Sequence, residues 1–165
     1  MIKKKVLFVC LGNICRSPAA EGIMKSILKK NHYDKFIQVD SAGTIAYHTG
    51  ESPDERMQLS AKKRGYVLDS LARKFNRKRD FINFDYIVAM DNENYSKLLN
   101  WDKEANFQRK IYKMTEFSSL KEFDEVPDPY YGGPLGFETV LNILEDACFG
   151  LFIKIKEDIE SENKK

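Results

Sequence analysis

Val6-Leu7-Phe8-Val9-Cys10-Leu11-Gly12-Asn13-Ile14-Cys15-Arg16-Ser17-Pro18 is the stretch from which both the fold and the chemistry follow. An apolar run rich in β-branched residues stops at a cysteine, an arginine follows in the spacing Cys-x5-Arg, and Ser-Pro opens a helical pattern. The reading is strand, tight loop, helix N-terminus. Such a junction aims backbone N–H groups at one point, where the helix dipole favours an anion. Gly12 has no Cβ and Asn13 tolerates positive φ, so the loop can curl into a nest. Arg16 adds a planar fork matched to phosphate oxygens, and the same field favours a thiolate at Cys10. A cysteine closing a strand is by itself an ordinary small buried hydrophobe. The weight rests on its context, which places a nucleophile at the floor of an oxyanion cradle and points to phosphoryl transfer through a phosphocysteine.

Outward from that stretch, strands alternate with helices. Ala20, Ile23, Met24, Ile27 and Leu28 recur at helical spacing to about Lys30, with Ser17 near the cap and Pro18 in the first turn. Phe36 to Asp40 reads as a second strand ended by Ser41-Ala42-Gly43. Ser52-Pro53-Asp54-Glu55 opens a helix running to Lys63 or Arg64, and Lys74 to Lys78 reads as basic and irregular. Phe84 to Met90 is a third strand, Asp91 caps a helix to about Asn100, and Lys110 to Met114 is a fourth strand. Residues 115 to 136 hold three of the five prolines and three of the nine glycines, so they form a long functional loop. A final helix spans Gly136 to about Glu160, with a tail that should fray. The pattern predicts one α/β domain over residues 1–165, a parallel sheet with right-handed crossovers, and a ligand site at the carboxyl ends of the strands, where Cys10 and Met90-Asp91 lie.

Composition agrees with a globular chain. Of 165 residues, 42% are hydrophobic and 32% charged, and the net charge of +2 is too small to argue for nucleic acid or a membrane as partner. Met1 to Lys5 begins like a signal peptide, but the apolar run from Val6 to Leu11 is too short to be one. Three cysteines make no disulfide framework, and a thiolate nucleophile fits a reduced, cytoplasmic setting. Two distant histidines and no Cys-x-x-Cys argue against zinc, and no nucleotide-binding motif is present. The expectation is therefore an enzyme without metal or cofactor.

A general acid is needed to protonate the leaving oxygen. Asp128, in Val126-Pro127-Asp128-Pro129-Tyr130-Tyr131-Gly132, is the candidate: two prolines stiffen its backbone and the aromatics shield it. Asp-Pro also marks ordinary turns, and Asp91 is the next candidate. Tyr47, Tyr130 and Tyr131 can wall a slot deep enough for an aryl phosphate. His48 and His32 read as surface residues, Cys148 as core, and Cys15 either as packing or as a partner that traps an oxidised Cys10. The run Arg73-Lys74…Arg77-Lys78-Arg79 reads as a solvated surface able to steer acidic phosphopeptides.

The segment Val9 to Glu21 matches without a break the pattern V-C-x-G-N-I-C-R-S-P-x-A-E, and the chain resembles the low-molecular-weight protein tyrosine phosphatases over nearly its whole length. The resemblance implies a four-stranded sheet in the order 2-1-3-4. It implies Leu11, Gly12, Asn13, Ile14, Cys15, Arg16 and Ser17 as the phosphate loop, Asp128 as general acid and then base, and Ser17 as a donor to the Cys10 sulfur. It also implies Tyr47 as a determinant of substrate choice. Proteins carrying phosphotyrosine are the implied partners, with no nucleic acid and no membrane, and a monomer or weak dimer as the expected state. In the family the counterpart of Asn13 bonds a Ser, matched by Ser41, and a His, where this chain has Ser70; the loop network is expected to be altered there. Arsenate reductases share the loop but need a downstream cysteine pair absent between Cys15 and Cys148. Protein arginine phosphatases carry Thr where Ile14 stands. A phosphate-sensing binding module would not need Cys10, Arg16 and Asp128 together.

Overall fold

In the computed structural model, which describes residues 1–130 and 132–165, β1 (Lys4–Cys10) lies inside a four-stranded parallel sheet of order β2-β1-β3-β4. Its partners are β2 (Ile37–Gly43) and β3 (Tyr86–Ala89), and β4 (Ile111–Lys113) adds the far edge. Tyr131, expected in the slot wall, lies outside the described residues.

The unbroken apolar run of β1 follows from burial on both faces. Val6, Phe8 and Cys10 face a core shared with α1 (Arg16–Lys30), α2 (Glu55–Lys63) and α5 (Pro134–Asn163). Leu7 and Val9 face the opposite layer, with Phe75, with Phe81 of α3 (Asp80–Asn83) and with Leu98 of α4 (Asn92–Trp101). Each fully buried large side chain of this strand contributes about 1.5–3 kcal/mol relative to exposure.

Several boundaries differ from the sequence expectation. Strand β2 does not end at Asp40: Ser41, Ala42 and Gly43 stay in register beside Phe8, Val9 and Cys10. Gly43 is required there, because a Cβ would sit 2.8 Å from the Leu11 carbonyl oxygen and 3.1 Å from the Gly12 carbonyl carbon. The basic stretch Lys74 to Lys78 is irregular apart from the Lys74 bridge to Gly43, and just beyond it Asp80 opens the short α3 and accepts from the Asn76 N–H. Helix α5 starts at Pro134, a residue suited to a first turn, and runs to Asn163. Its last turn is not left to fray: Lys3 Nζ donates to Asn163 Oδ1 at 3.1 Å and Lys4 Nζ pairs with Glu162 at 2.5 Å. The loop after β4 begins with a helical turn at Met114–Phe117, and Ser118, Ser119 and Leu120 are then tied to Asp146 of α5. Cys148 is fully buried, as its position on the apolar face of α5 predicts.

Candidate active site

The five residues from Leu11 to Cys15 join β1 to α1 at the carboxyl end of the sheet. Two of their carbonyls are taken from outside: Ile45 N–H donates to Leu11 O at 3.1 Å and Asp54 N–H to Ile14 O at 2.7 Å. The Asn13 N–H turns inward and donates to Cys10 Sγ at 3.3 Å. This is the nest that the Gly-Asn pair predicts, with Asn13 at φ +58°.

Asn13 is the lock. Its Nδ2 donates to Ser17 Oγ at 2.8 Å and to Ser41 Oγ at 3.0 Å, and its Oδ1 accepts the Arg73 N–H at 3.0 Å. The amide oxygen is thus satisfied by the Arg73 main chain, and Ser70 is not among its partners. Ser41 Oγ in turn donates to Glu21 Oε1 at 2.6 Å, and buried Glu21 pairs with Lys25. Glu21 belongs to this network although sequence reading used it only as part of the motif.

Ser17 stands near the cap, as expected, without capping the helix itself. Helix α1 begins at Arg16 with Cys15 as cap and no side-chain cap bond, so Ser17 is the second helical residue. Its hydroxyl lies 2.9 Å from Cys10 Sγ. Because Oγ already accepts from Asn13, its own proton is available to the sulfur.

Arg16 is buried beneath the loop. Nη1 donates to Asp91 Oδ2 at 2.7 Å and to the Val126 carbonyl at 3.0 Å, while Nη2 lies 3.6 Å from Asp128 Oδ2. Burial opposes its charge, but Cys10, Asp91 and Asp128 outweigh burial and hold the guanidinium above its ordinary value. Asp91 also caps α4 by accepting from the Asn94 N–H. The carboxylate read as a reserve acid is therefore engaged in orienting Arg16.

Asp128 sits at the mouth, its side chain 38% exposed, with Oδ1 accepting the Tyr130 N–H at 3.0 Å. The Tyr130 ring is covered by the Arg56 guanidinium, 5.3 Å from its centroid; Arg56 also lies over Phe137 at 5.0 Å and pairs with Asp54. Cys15 is buried, and burial, followed by Asp54, Cys10 and Asp128, pushes its thiol far above the ordinary value.

These groups surround a cleft of about 320 Å³ with Cys10, Cys15 and Arg16 among its lining. Leu11, Gly12 and Ile14 form its near wall, and Ile45, Tyr47, His48, Asp128 and Tyr130 its rim. Tyr47 projects, 82% exposed, and meets the His48 ring edge-on. His48 is not the plain surface residue expected: it lines the cleft, packs near Gly12 and pairs through Nδ1 with Glu51 at 2.6 Å. Ile45 and His48 were missed because nothing in their residue types separates them from other loop residues; the bonds from Thr44 N–H to Cys10 O and from Ile45 N–H to Leu11 O draw that loop onto the cradle. His32 is an exposed residue just past the end of α1, as expected. Among the described residues no three His, Cys, Asp or Glu side chains gather to hold a metal ion. Among them, too, no helix is long and apolar enough to cross a membrane.

The family model for low molecular weight phosphotyrosine protein phosphatase matches residues 5–162. A Synechocystis sequence assigned to the low molecular weight protein-tyrosine-phosphatases is 47% identical over 94% of this chain and 98% of its own. The crystal structure of a protein tyrosine phosphatase from Entamoeba histolytica superposes with a TM-score of 0.91 at 51% identity, covering 94% of this chain and 99% of that one. A Drosophila arginine phosphatase superposes with a TM-score of 0.85 at 34% identity, over 92% and 98% of the two chains.

Proposed function

Because the chain belongs to the low molecular weight phosphotyrosine protein phosphatase family, we propose that it hydrolyses phosphotyrosine in proteins through a phosphocysteine on Cys10. The observation that carries this reading is the Cys10 sulfur held 2.9 Å from Ser17 Oγ and 3.3 Å from the Asn13 N–H, beside buried Arg16.

The steps follow from the groups present. The substrate phosphate enters the nest, and Arg16 Nη2 with the loop N–H groups spans its oxygens. The Cys10 thiolate attacks phosphorus in line, the bond to the tyrosine oxygen breaks, and Asp128 gives that oxygen its proton. The phenol leaves. Asp128, now a carboxylate, takes a proton from water as the water attacks phosphorus, and the sulfur departs as thiolate with the Ser17 hydroxyl donating to it. Phosphate is released and Asp128 carries the proton for the next turn. The setting proposed for this chemistry is the reducing cytoplasm, without metal or cofactor.

Ile14 and Tyr130 at the cleft favour a phosphorylated phenol over a phosphorylated guanidine. An apolar β-branched side chain suits a ring face and leaves guanidinium N–H groups unpaired. The likeness to an arginine phosphatase makes this the comparison to run. Phosphotyrosine should exceed phosphoarginine in kcat/KM, and Ile14→Thr should narrow the gap. Trapping a covalent phosphoryl group on Cys10 by rapid acid quench and peptide mapping tests the intermediate. Substantial aryl phosphate turnover by Cys10→Ser would overturn it.

A further inference from the structure

We infer that the basic run Lys74, Arg77, Lys78 and Arg79 is a docking surface for acidic residues flanking the phosphotyrosine of the substrate protein. The inference rests on the proposed phosphatase reading and names a substrate class for it.

The run starts at the catalytic end of the sheet with Lys74, and Arg77 carries it on to Trp101 at the last residue of α4. The Arg73 N–H donates to Asn13 Oδ1 at 3.0 Å, which stitches it to the phosphate loop. On either side, Gly43 N–H donates to Arg73 O and Phe75 N–H to Gly43 O, both at 2.8 Å. Cys10 stands in register with Gly43, and Gly43 with Lys74. Two strand spacings separate them, so the Lys74 Cα is roughly 10 Å from that of the nucleophile. An extended peptide advances about 3.3 Å per residue. Acidic side chains a few positions from the phosphotyrosine therefore reach Lys74 while the phosphate sits on Cys10, and those farther along the peptide follow the run toward Arg77.

The charge there is uncommitted. Arg73 is held by Asp40 and Asp80, both at 2.9 Å, and those carboxylates are thereby used. Lys74, Arg77, Lys78 and Arg79 are exposed, and among the described residues none of the four forms an ion pair. Arg77 lies over Trp101, its guanidinium carbon 5.0 Å from a ring centroid, a contact that orders the guanidinium. These four cations exceed the net charge of the whole chain, +2, so the rest of the surface is acidic in balance. A polyanion that must wrap the molecule, such as RNA, meets repulsion beyond this one patch. A short acidic peptide leading out of the cleft does not.

The test compares synthetic phosphotyrosine peptides of one length with Asp/Glu, Ala or Lys flanks, and uses p-nitrophenyl phosphate as control. At about 0.02 M salt the acidic peptide should exceed the Ala peptide about tenfold in kcat/KM, through KM, and the advantage should shrink at about 0.5 M. The variant Lys74→Glu/Arg77→Glu/Lys78→Glu/Arg79→Glu should invert the preference toward Lys flanks and leave p-nitrophenyl phosphate turnover unchanged. Equal kcat/KM for acidic and Ala peptides, or a preference the variant does not alter, overturns the docking surface while control turnover stands. Loss of all turnover by the wild type would instead overturn the phosphatase reading. Tighter retention on phosphatidylserine vesicles or on single-stranded RNA than on the acidic peptide, abolished by the same variant, would reassign the patch and overturn the inference.

Discussion

Asp91 Oδ2 accepts from Arg16 Nη1 at 2.7 Å across 75 residues of sequence, and through this bond the cap of α4 sets the angle of the Arg16 guanidinium. With the Val126 carbonyl on the same nitrogen, both Nη1 hydrogens are occupied, and the remaining guanidinium N–H groups are left for other partners.

Asp91→Ala should therefore damage catalysis without touching substrate. A fork misplaced by about 1 Å costs on the order of 10²-fold in kcat. The loss should appear mainly in kcat, with vanadate or phosphate affinity also reduced. A fall in melting temperature alone, with kcat preserved, would leave Asp91 a helix cap only.

Asp128→Asn should be slow in a manner set by the leaving group. General acid catalysis contributes about 10²–10⁴-fold, and phenolates of ordinary basicity need it more than nitrophenolates do. Phosphotyrosine turnover should fall further than p-nitrophenyl phosphate turnover, and some loss should persist with both because Asn cannot activate water. A small, uniform loss would make Asp128 a turn residue.

Arg56→Leu tests the support under the rim. It removes the cation from the Tyr130 and Phe137 rings and the pair with Asp54, whose N–H holds the Ile14 carbonyl. Exposed cation–π contacts are worth about 0.5–1 kcal/mol, so KM for aryl phosphates should rise about two- to fivefold. Unchanged KM would show that Tyr130 keeps its place unaided.

Peroxide should separate the cysteines. Oxidation of Cys10 by peroxide gives a sulfenic acid, which the Cys15 sulfur attacks to expel water and form a disulfide. Cys15 is buried and held as thiol, so this linkage should form slowly and only after Cys10 is oxidised. Peptide mapping should show a Cys10–Cys15 crosslink and intact Cys148. Cys15→Ser should carry sulfinic Cys10 instead.

The same burial predicts loss of stability in alkali. Burial, and then Glu145, pushes the Cys148 thiol far above its ordinary value of 9.0. The folded state therefore keeps a proton that the unfolded chain gives up. This contribution is complete below about pH 9 and declines as pH rises above it, by about 1.4 kcal/mol per unit for each such thiol. Urea titrations from pH 8 to 10.5 should show the decline, and Cys148→Val should be less steep.

What sequence could reveal here follows locality. The run Val6 to Pro18 carries its own explanation, since strand, nest, fork and helix start are all determined by neighbours within a dozen residues. Ser41-Ala42-Gly43 looks like the end of a strand because its residues are small or polar. Only the register with β1, and the crowding of Gly43 against the phosphate loop, reveals it as strand. Asp91 was visible at a strand end, but its task depends on an arginine from another element. His48 looked like a surface residue because its burial is created by the Leu11–Ile45 contact, which no periodicity announces. Arg73 looked like one member of a charged run, yet its main chain completes the Asn13 network.

Lys3 and Lys4 clasp Asn163 and Glu162, so the entry to β1 and the last turn of α5 lie side by side, whereas Cys10 closes the far end of that strand. Seven strand residues put roughly 20 Å between them. A crosslink between these two segments would span a gap that is already closed and leave the cleft whole. A tether at either terminus would anchor the molecule to a solid support with its mouth turned to the solution.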